Sequence, residues 1–145
     1  MPETNAVASG AMDVVTRLLN ATNAHDLSAL AACFAADYLN ETPAHPLRGF
    51  VGREQVRANW QQLFASIPDL RAEILDSAVD GDVAWSEWRM TGTRADGTAH
   101  EMAGVNIFTI RGIEIVRGRF YLELVERQSG TVNDNVQRVA TGARS

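Results

Sequence analysis

The sequence predicts an α+β domain in which helices cover one face of a curved, mostly antiparallel sheet. Two segments with apolar residues at helical spacing come first, and a short extended segment and a third helical stripe follow. From Leu70 the chain reads as consecutive strands, a separation of helices from strands that suits one sheet with one covered face. The strongest local signal is Asp96-Gly97, a hairpin dipeptide between the strand-like runs Val83 to Arg94 and Ala99 to Ile110.

Taken in order, residues 1–10 read as a loose start, 11–125 as a single domain and 126–145 as a polar extension without a sustained period. Met12, Val14, Val15, Leu18, Leu19 and Thr22 predict a first helix ending near Asn23, and Asp26 is placed to cap a second, short one through Leu27, Leu30, Ala31 and Phe34. Asp37 to Pro43 is extended and puts Tyr38, Asn40 and Thr42 on one face. Glu54 to Ile67 carries the stripe Val56, Trp60, Leu63, Phe64 and Ile67, closed by Pro68. Leu70 to Asp80 is a strand that turns at Asp80-Gly81-Asp82 into the central hairpin, and the last strand runs from Ile115 to Leu124. Its phase depends on the loop before it: a two-residue loop at Arg111-Gly112 aims Tyr121 at the face of Asn106, and an odd-numbered loop aims Phe120 and Leu122 there.

A two-residue turn at Asp96-Gly97 pairs Ala95 with Thr98 and hence Arg89 with Gly104, Glu87 with Asn106 and Trp85 with Phe108. One face then carries Trp85, Glu87, Arg89, Met102, Asn106 and Phe108. Ionisable residues between Trp, Met and Phe suit a lined cavity.

Composition narrows the function classes. A chain of 145 residues with 46% hydrophobic and 21% charged residues is ordinary globular protein, long enough for a real core. A formal net charge of -5 and no basic cluster argue against a nucleic-acid or anionic-membrane partner, and no apolar run reaches membrane-spanning length. The single Cys33, in the apolar run Leu30 to Phe34, reads as a small core residue and fits a reducing cytoplasm. His25, His45 and His100 lack metal-type spacing, so neither a metal nor another cofactor is expected. His25 and His100 read as surface residues, and His45, between Pro43 and Pro46, as an exposed loop residue or a proton shuttle at a cavity mouth. No nucleophile elbow, P-loop or dinucleotide fingerprint occurs.

The segments DYLNETP, Gly52-Arg53-Glu54-Gln55 and Arg119-Phe120-Tyr121-Leu122-Glu123 resemble the SnoaL-like group of polyketide cyclases in the nuclear transport factor 2-like superfamily, over roughly Met12 to Val125. The resemblance implies a cone-shaped, curved antiparallel or mixed sheet with three helices packed on its concave face, a cystatin-like scaffold hosting cyclases, isomerases, epoxide hydrolases and non-catalytic binders. The ketosteroid isomerase base, oxyanion tyrosine, proton-donating aspartate and supporting tyrosine fall on Thr42, Leu18, Asn106 and Trp60, so that set is not retained. The Arg-x-Asp pair of epoxide hydrolases falls on Glu87-x-Arg89 in exchanged order. Their last-strand aspartate, like that of the cyclases, falls on Phe120, which orients Phe120 toward the cavity.

These observations give an expected site. Glu87 is the acid/base candidate, because desolvation in an aromatic cavity would raise its pKa; otherwise Glu87 and Arg89 form a structural ion pair or point into a dimer contact. Asn106 and Tyr38 are the hydrogen-bonding partners, and Asn40, Thr42, Trp60, Trp85, Arg89, Met102, Phe108 and Phe120 the ligand walls. The expected activity is proton transfer on an apolar carbonyl-bearing or polycyclic molecule; the alternative is non-catalytic binding of a small hydrophobic ligand. Arg119, Tyr121 and Glu123 would face away from the helices, and a homodimer across that face is expected.

Overall fold

The computed structural model describes residues 2–128 and 130–142, with side chains described from Gly10 onward. The elements are α1 (Pro2–Ala24), α2 (Leu27–Ala32), β1 (Phe34–Glu41), a 3-10 turn (Pro46–Arg48), β2 (Phe50–Val51), α3 (Arg53–Ser66), β3 (Arg71–Asp80), β4 (Val83–Thr93), β5 (Ala99–Arg111), β6 (Glu114–Phe120), β7 (Glu123–Leu124) and α4 (Val132–Thr141). The strands form one curved mixed sheet in the order β2-β1-β6-β5-β4-β3, with β7 added on β5 and β1 parallel to β6. The helices pack on the concave side, α1 against β3, β4 and β5, and α2 and α3 against β1. Among the described residues no helix is long and apolar enough to cross a membrane.

Local chemistry explains most boundaries. Asp26 Oδ1 accepts from the Ala29 backbone N–H at 3.1 Å and starts α2. The stripe Val14, Val15 and Leu18 is buried against Leu30, Phe34, Trp88, Phe108 and Ile115, which make up the centre of the core. Cys33 is buried there, and burial pushes its thiol pKa up.

Three expectations change. The first helix begins at Pro2 instead of Ala11, so the start of the chain is helical. The polar tail contains α4, opened by a capping box in which Asp134 N–H donates to Thr131 Oγ1 at 3.2 Å and Thr131 N–H to Asp134 Oδ2 at 3.1 Å, and closed by left-handed Gly142. Met1, Ser129 and residues 143–145, also part of the expected loose start and polar tail, lie outside the described residues.

The third change is in the central hairpin. Its loop has three residues, Ala95 to Gly97: Gly97 N–H bonds Arg94 O, Arg94 N–H bonds Thr98 O, and Gly97 sits at φ 86°. Asp96 Oδ1 accepts from both the N–H and the Oγ1–H of Thr98, at 2.9 and 2.6 Å, which fixes the longer loop. An odd loop shifts the register by one, so Glu87 pairs with Val105, Trp85 with Ile107 and Arg89 with Ala103. Every β4 side chain therefore faces opposite to the expected direction. Ala84, Ser86, Trp88 and Met90 point into the cone, and Trp85, Glu87 and Arg89 point out. The energetics favour this register. Either phase buries one tryptophan, Trp88 here or Trp85 in the other, but the other phase would also bury two ions at a cost of several kcal/mol each.

The last strand reaches its expected phase by a different route. Arg111 pairs with Glu114 across the two-residue loop Gly112-Ile113, but the register shifts between Ile110–Ile115 and Thr109–Arg117, leaving Val116 as a bulge. That extra residue sets Phe120 opposite Asn106, on the concave face.

Candidate functional site

A cavity of about 280 Å³ opens between α3 and the concave end of the sheet. Its inner wall comes from β1, whose alternation aims Tyr38 and Asn40 at the helices while Leu39 faces out. α3 contributes Val56, Asn59, Trp60 and Leu63, one face of a helix. Met90 from β4, Met102 from β5 and Phe120 from the end of β6 complete the apolar part.

The polar groups are few. Tyr38 Oη donates to Asn40 Oδ1 at 2.8 Å, and the phenol is fully buried. Burial pushes the Tyr38 pKa up, so the group stays protonated. Its proton engages Asn40, its oxygen keeps lone pairs, and Asn40 Nδ2 makes no hydrogen bond among the described residues. The pair thus offers a ligand the Asn40 amide N–H as donor, while the fully buried Tyr38 phenol fixes the orientation of that amide. At the exposed end lie Arg48, on the 3-10 turn, and Asn59, whose Oδ1 already accepts from Gln55 Nε2 at 2.8 Å.

The expected site residues divide into three groups. Tyr38, Asn40, Thr42, Trp60, Met102 and Phe120 line the cavity together. Asn106 and Phe108 face the same way but lie deeper, buried in the core beside the cavity. Asn106 Oδ1 has no hydrogen-bond partner among the described residues. Phe108 packs edge-on against Phe120, with ring centroids 5.6 Å apart. Glu87, Arg89 and Trp85 are outside the cavity, on the convex face, for the register reason given above. Arg89 pairs there with Glu73 and Glu101, each at 3.3 Å, rather than with Glu87. The inward positions of β4 instead carry a chain of neutral groups, in which Trp88 Nε1–H donates to Ser86 Oγ at 2.7 Å and Ser86 Oγ–H to Asn106 O at 3.2 Å.

The histidines also differ from expectation. His100 is buried, and burial, followed by the charge of Arg94, holds its pKa below the usual imidazole value. His25 takes a left-handed backbone at φ 53°, bonds Leu70 O through Nε2 at 2.7 Å and stacks on Phe64. His45 Nε2 lies 3.0 Å from Glu123 Oε1, outside the cavity lining. No group of three or more His, Cys, Asp or Glu side chains that could hold a metal occurs among the described residues.

Arg48, Asn59 and Met90 were not anticipated. Asn59 follows Val56 by three positions and shares its helix face, so spacing alone could have found it. Met90 depended on the hairpin register, and nothing in the loop sequence marks Arg48.

Comparison with known proteins identifies the fold and the family. No curated protein matches the chain. Among solved structures, it is similar to a protein of ketosteroid isomerase-like fold from Catenulispora acidiphila DSM 44928, solved with trimethylamine, at 25% identity and TM-score 0.62, covering 74% of this chain and 84% of that one. An LEH-like epoxide hydrolase from M. tuberculosis shares the fold at 14% identity and TM-score 0.71, covering 94% and 98%. A protein assigned to the SnoaL-like polyketide cyclases, from Jannaschia sp. CCS1, does so at 17% identity and TM-score 0.69, covering 95% and 96%. The family model of the SnoaL-like domain matches residues 15–118, most of the chain, and the protein therefore belongs to the SnoaL-like family.

Proposed function

We propose that the protein binds a small, largely apolar molecule carrying a carbonyl or hydroxyl oxygen, with that oxygen at the Tyr38–Asn40 pair and the apolar body against Trp60, Met102 and Phe120. The observation that supports this most is the lining itself: aromatic and aliphatic walls around one buried donor-acceptor pair, with no carboxylate or imidazole among the described lining residues. Proton transfer of the cyclase or isomerase type is a second reading. It rests on the free Asn40 amide N–H, oriented by the protonated Tyr38, as the donor that stabilises an oxyanion developing on a bound carbonyl. Glu87 has no part in either reading.

Trp60 in the wall supplies the probe. Titration of its fluorescence with small cyclic ketones and alcohols should saturate, and Met102→Trp, which fills the cavity, should abolish the response. Absence of saturation, or a response that survives the filled cavity, would overturn the assignment. Turnover of a bound ketone, lost in Tyr38→Phe, would select the catalytic reading.

For a partner we propose a second copy, docked on the convex face where exposed Trp85 pairs with Ile107 next to Val105. Trp85→Glu should then convert a dimer into a monomer in sedimentation. A cytoplasmic location fits the one buried thiol, Cys33.

A further inference from the structure

We propose that the cavity's ligand is an amphiphilic monoanion, with its apolar body inside the cone and a carboxylate held by Arg48 at the mouth. This rests on the ligand-binding reading above and names the class of molecule. Arg48 is the only residue of the described lining that is charged at neutral pH, since burial keeps the Tyr38 phenol protonated. Its guanidinium makes no hydrogen bond or ion pair with any described residue. Arg53 and Arg117, by contrast, are engaged: Arg53 bonds Phe34 O and pairs with Glu114, and Arg117 pairs with Glu41. The cavity is also graded. Phe34, Tyr38, Val56 and Met90 are buried at one end, and Arg48 and Asn59 are exposed at the other.

The physical consequence is a positive field at the opening of a low-dielectric cleft with no neighbouring carboxylate in the wall to cancel it. A planar guanidinium with all its donors free matches a carboxylate in bidentate geometry. A volume of about 280 Å³ is at the small end for a ligand pocket, which suits a body of one or two rings. A neutral ligand would leave Arg48 unused, and a dianion would leave one charge without a partner in the wall.

The test is a matched pair with one carbon skeleton, 3-(4-acetylphenyl)propanoate and 3-(4-acetylphenyl)propan-1-ol, whose acetyl oxygen serves the Tyr38–Asn40 pair, titrated against wild type, Arg48→Gln and Arg48→Lys by Trp60 fluorescence and calorimetry. Arg48 is exposed, so neither substitution threatens the fold. The acid should bind wild type roughly tenfold more tightly than the alcohol. Arg48→Gln should bring the acid to the level of the alcohol without changing the alcohol, Arg48→Lys should retain part of the preference, and added salt should weaken the acid alone. If both compounds bind wild type equally and Arg48→Gln changes neither, the anion assignment falls while the ligand pocket stands. If neither binds, the pocket reading fails and this inference fails with it.

Discussion

Gly118 of β6 lies so close under Tyr38 of β1 that a Cβ there would overlap the phenol oxygen. The two strands run parallel, Gly118 pairs with Asn40, and the bare backbone opens the space in which Tyr38 Oη reaches Asn40 Oδ1. The same built Cβ would come within 3.0 Å of Phe120 Cε1, so the cavity's polar pair and its aromatic wall both depend on one missing methyl group. Gly118→Ala should cost ~1–3 kcal/mol, as overpacking does, and should weaken ligand binding by displacing Tyr38. Denaturation with urea measures the first effect. A neutral Gly118→Ala would mean that Tyr38 can be accommodated elsewhere.

Glu87 provides the opposite case. Its side chain is on the convex face, and the nearby Arg89 is already engaged by Glu73 and Glu101. Glu87→Gln should leave stability within about 0.5 kcal/mol, as for ordinary surface substitutions, and leave ligand affinity unchanged. Loss of binding or of turnover in this variant would mean that the hairpin register is the other one.

His100 gives the fold a pH dependence of defined sign. Its pKa is depressed in the folded protein, chiefly by burial and then by Arg94, so the unfolded chain binds the proton more readily. The stabilisation is complete above the ordinary imidazole pKa of about 6.5 and is lost progressively as pH falls toward the folded value. Glu101, held low mainly by its hydrogen bond from Arg127, loses its contribution only near the ordinary carboxylate range, about pH 4. Denaturation profiles from pH 7 to 5 should therefore slope less in His100→Gln than in wild type. Parallel profiles would show that His100 takes up its proton as freely folded as unfolded.

How much of this could be read from the sequence depended on where each element's signal lies. β1 was legible because Tyr38, Asn40 and Thr42 alternate with Leu39 and Glu41, and α3 because Val56, Trp60 and Leu63 repeat at helical spacing. Half of the hairpin was legible too: Met102, Asn106 and Phe108 face inward, as expected. The other half turned on the parity of a loop, and Asp-Gly fits a two-residue turn as well as a three-residue one. The competing signal was the alternation of β4 itself, with Ala84, Ser86, Trp88 and Met90 on one face and two ions on the other, and the cost of burying those ions should have outweighed the turn dipeptide. α4 escaped notice because Val132, Val136 and Val139 are exposed and its cap uses Asp134 where Glu or Gln is the usual third residue. Arg48 could not be found from sequence, because the fold alone brings the 3-10 turn to the cavity rim.

Asn106 carries the last prediction. It is 2% exposed, sits opposite Phe120 beside the cavity, and its Oδ1 has no partner among the described residues. A buried acceptor left without a donor costs ~1–3 kcal/mol, whereas an apolar side chain of similar size meets no such penalty. Asn106→Leu should therefore stabilise the protein by about 1 kcal/mol, raising Tm by roughly 3 °C for a chain of this size. Since Asn106 lies outside the cavity lining, affinity for a neutral ligand should be retained. Calorimetric melting with and without ligand separates the two effects. A variant destabilised by more than 1 kcal/mol would show that a donor, ordered water included, satisfies Oδ1 in solution. A stabilised variant that no longer binds would show instead that the orphan acceptor reaches the ligand, as an amide kept for recognition at the expense of stability does.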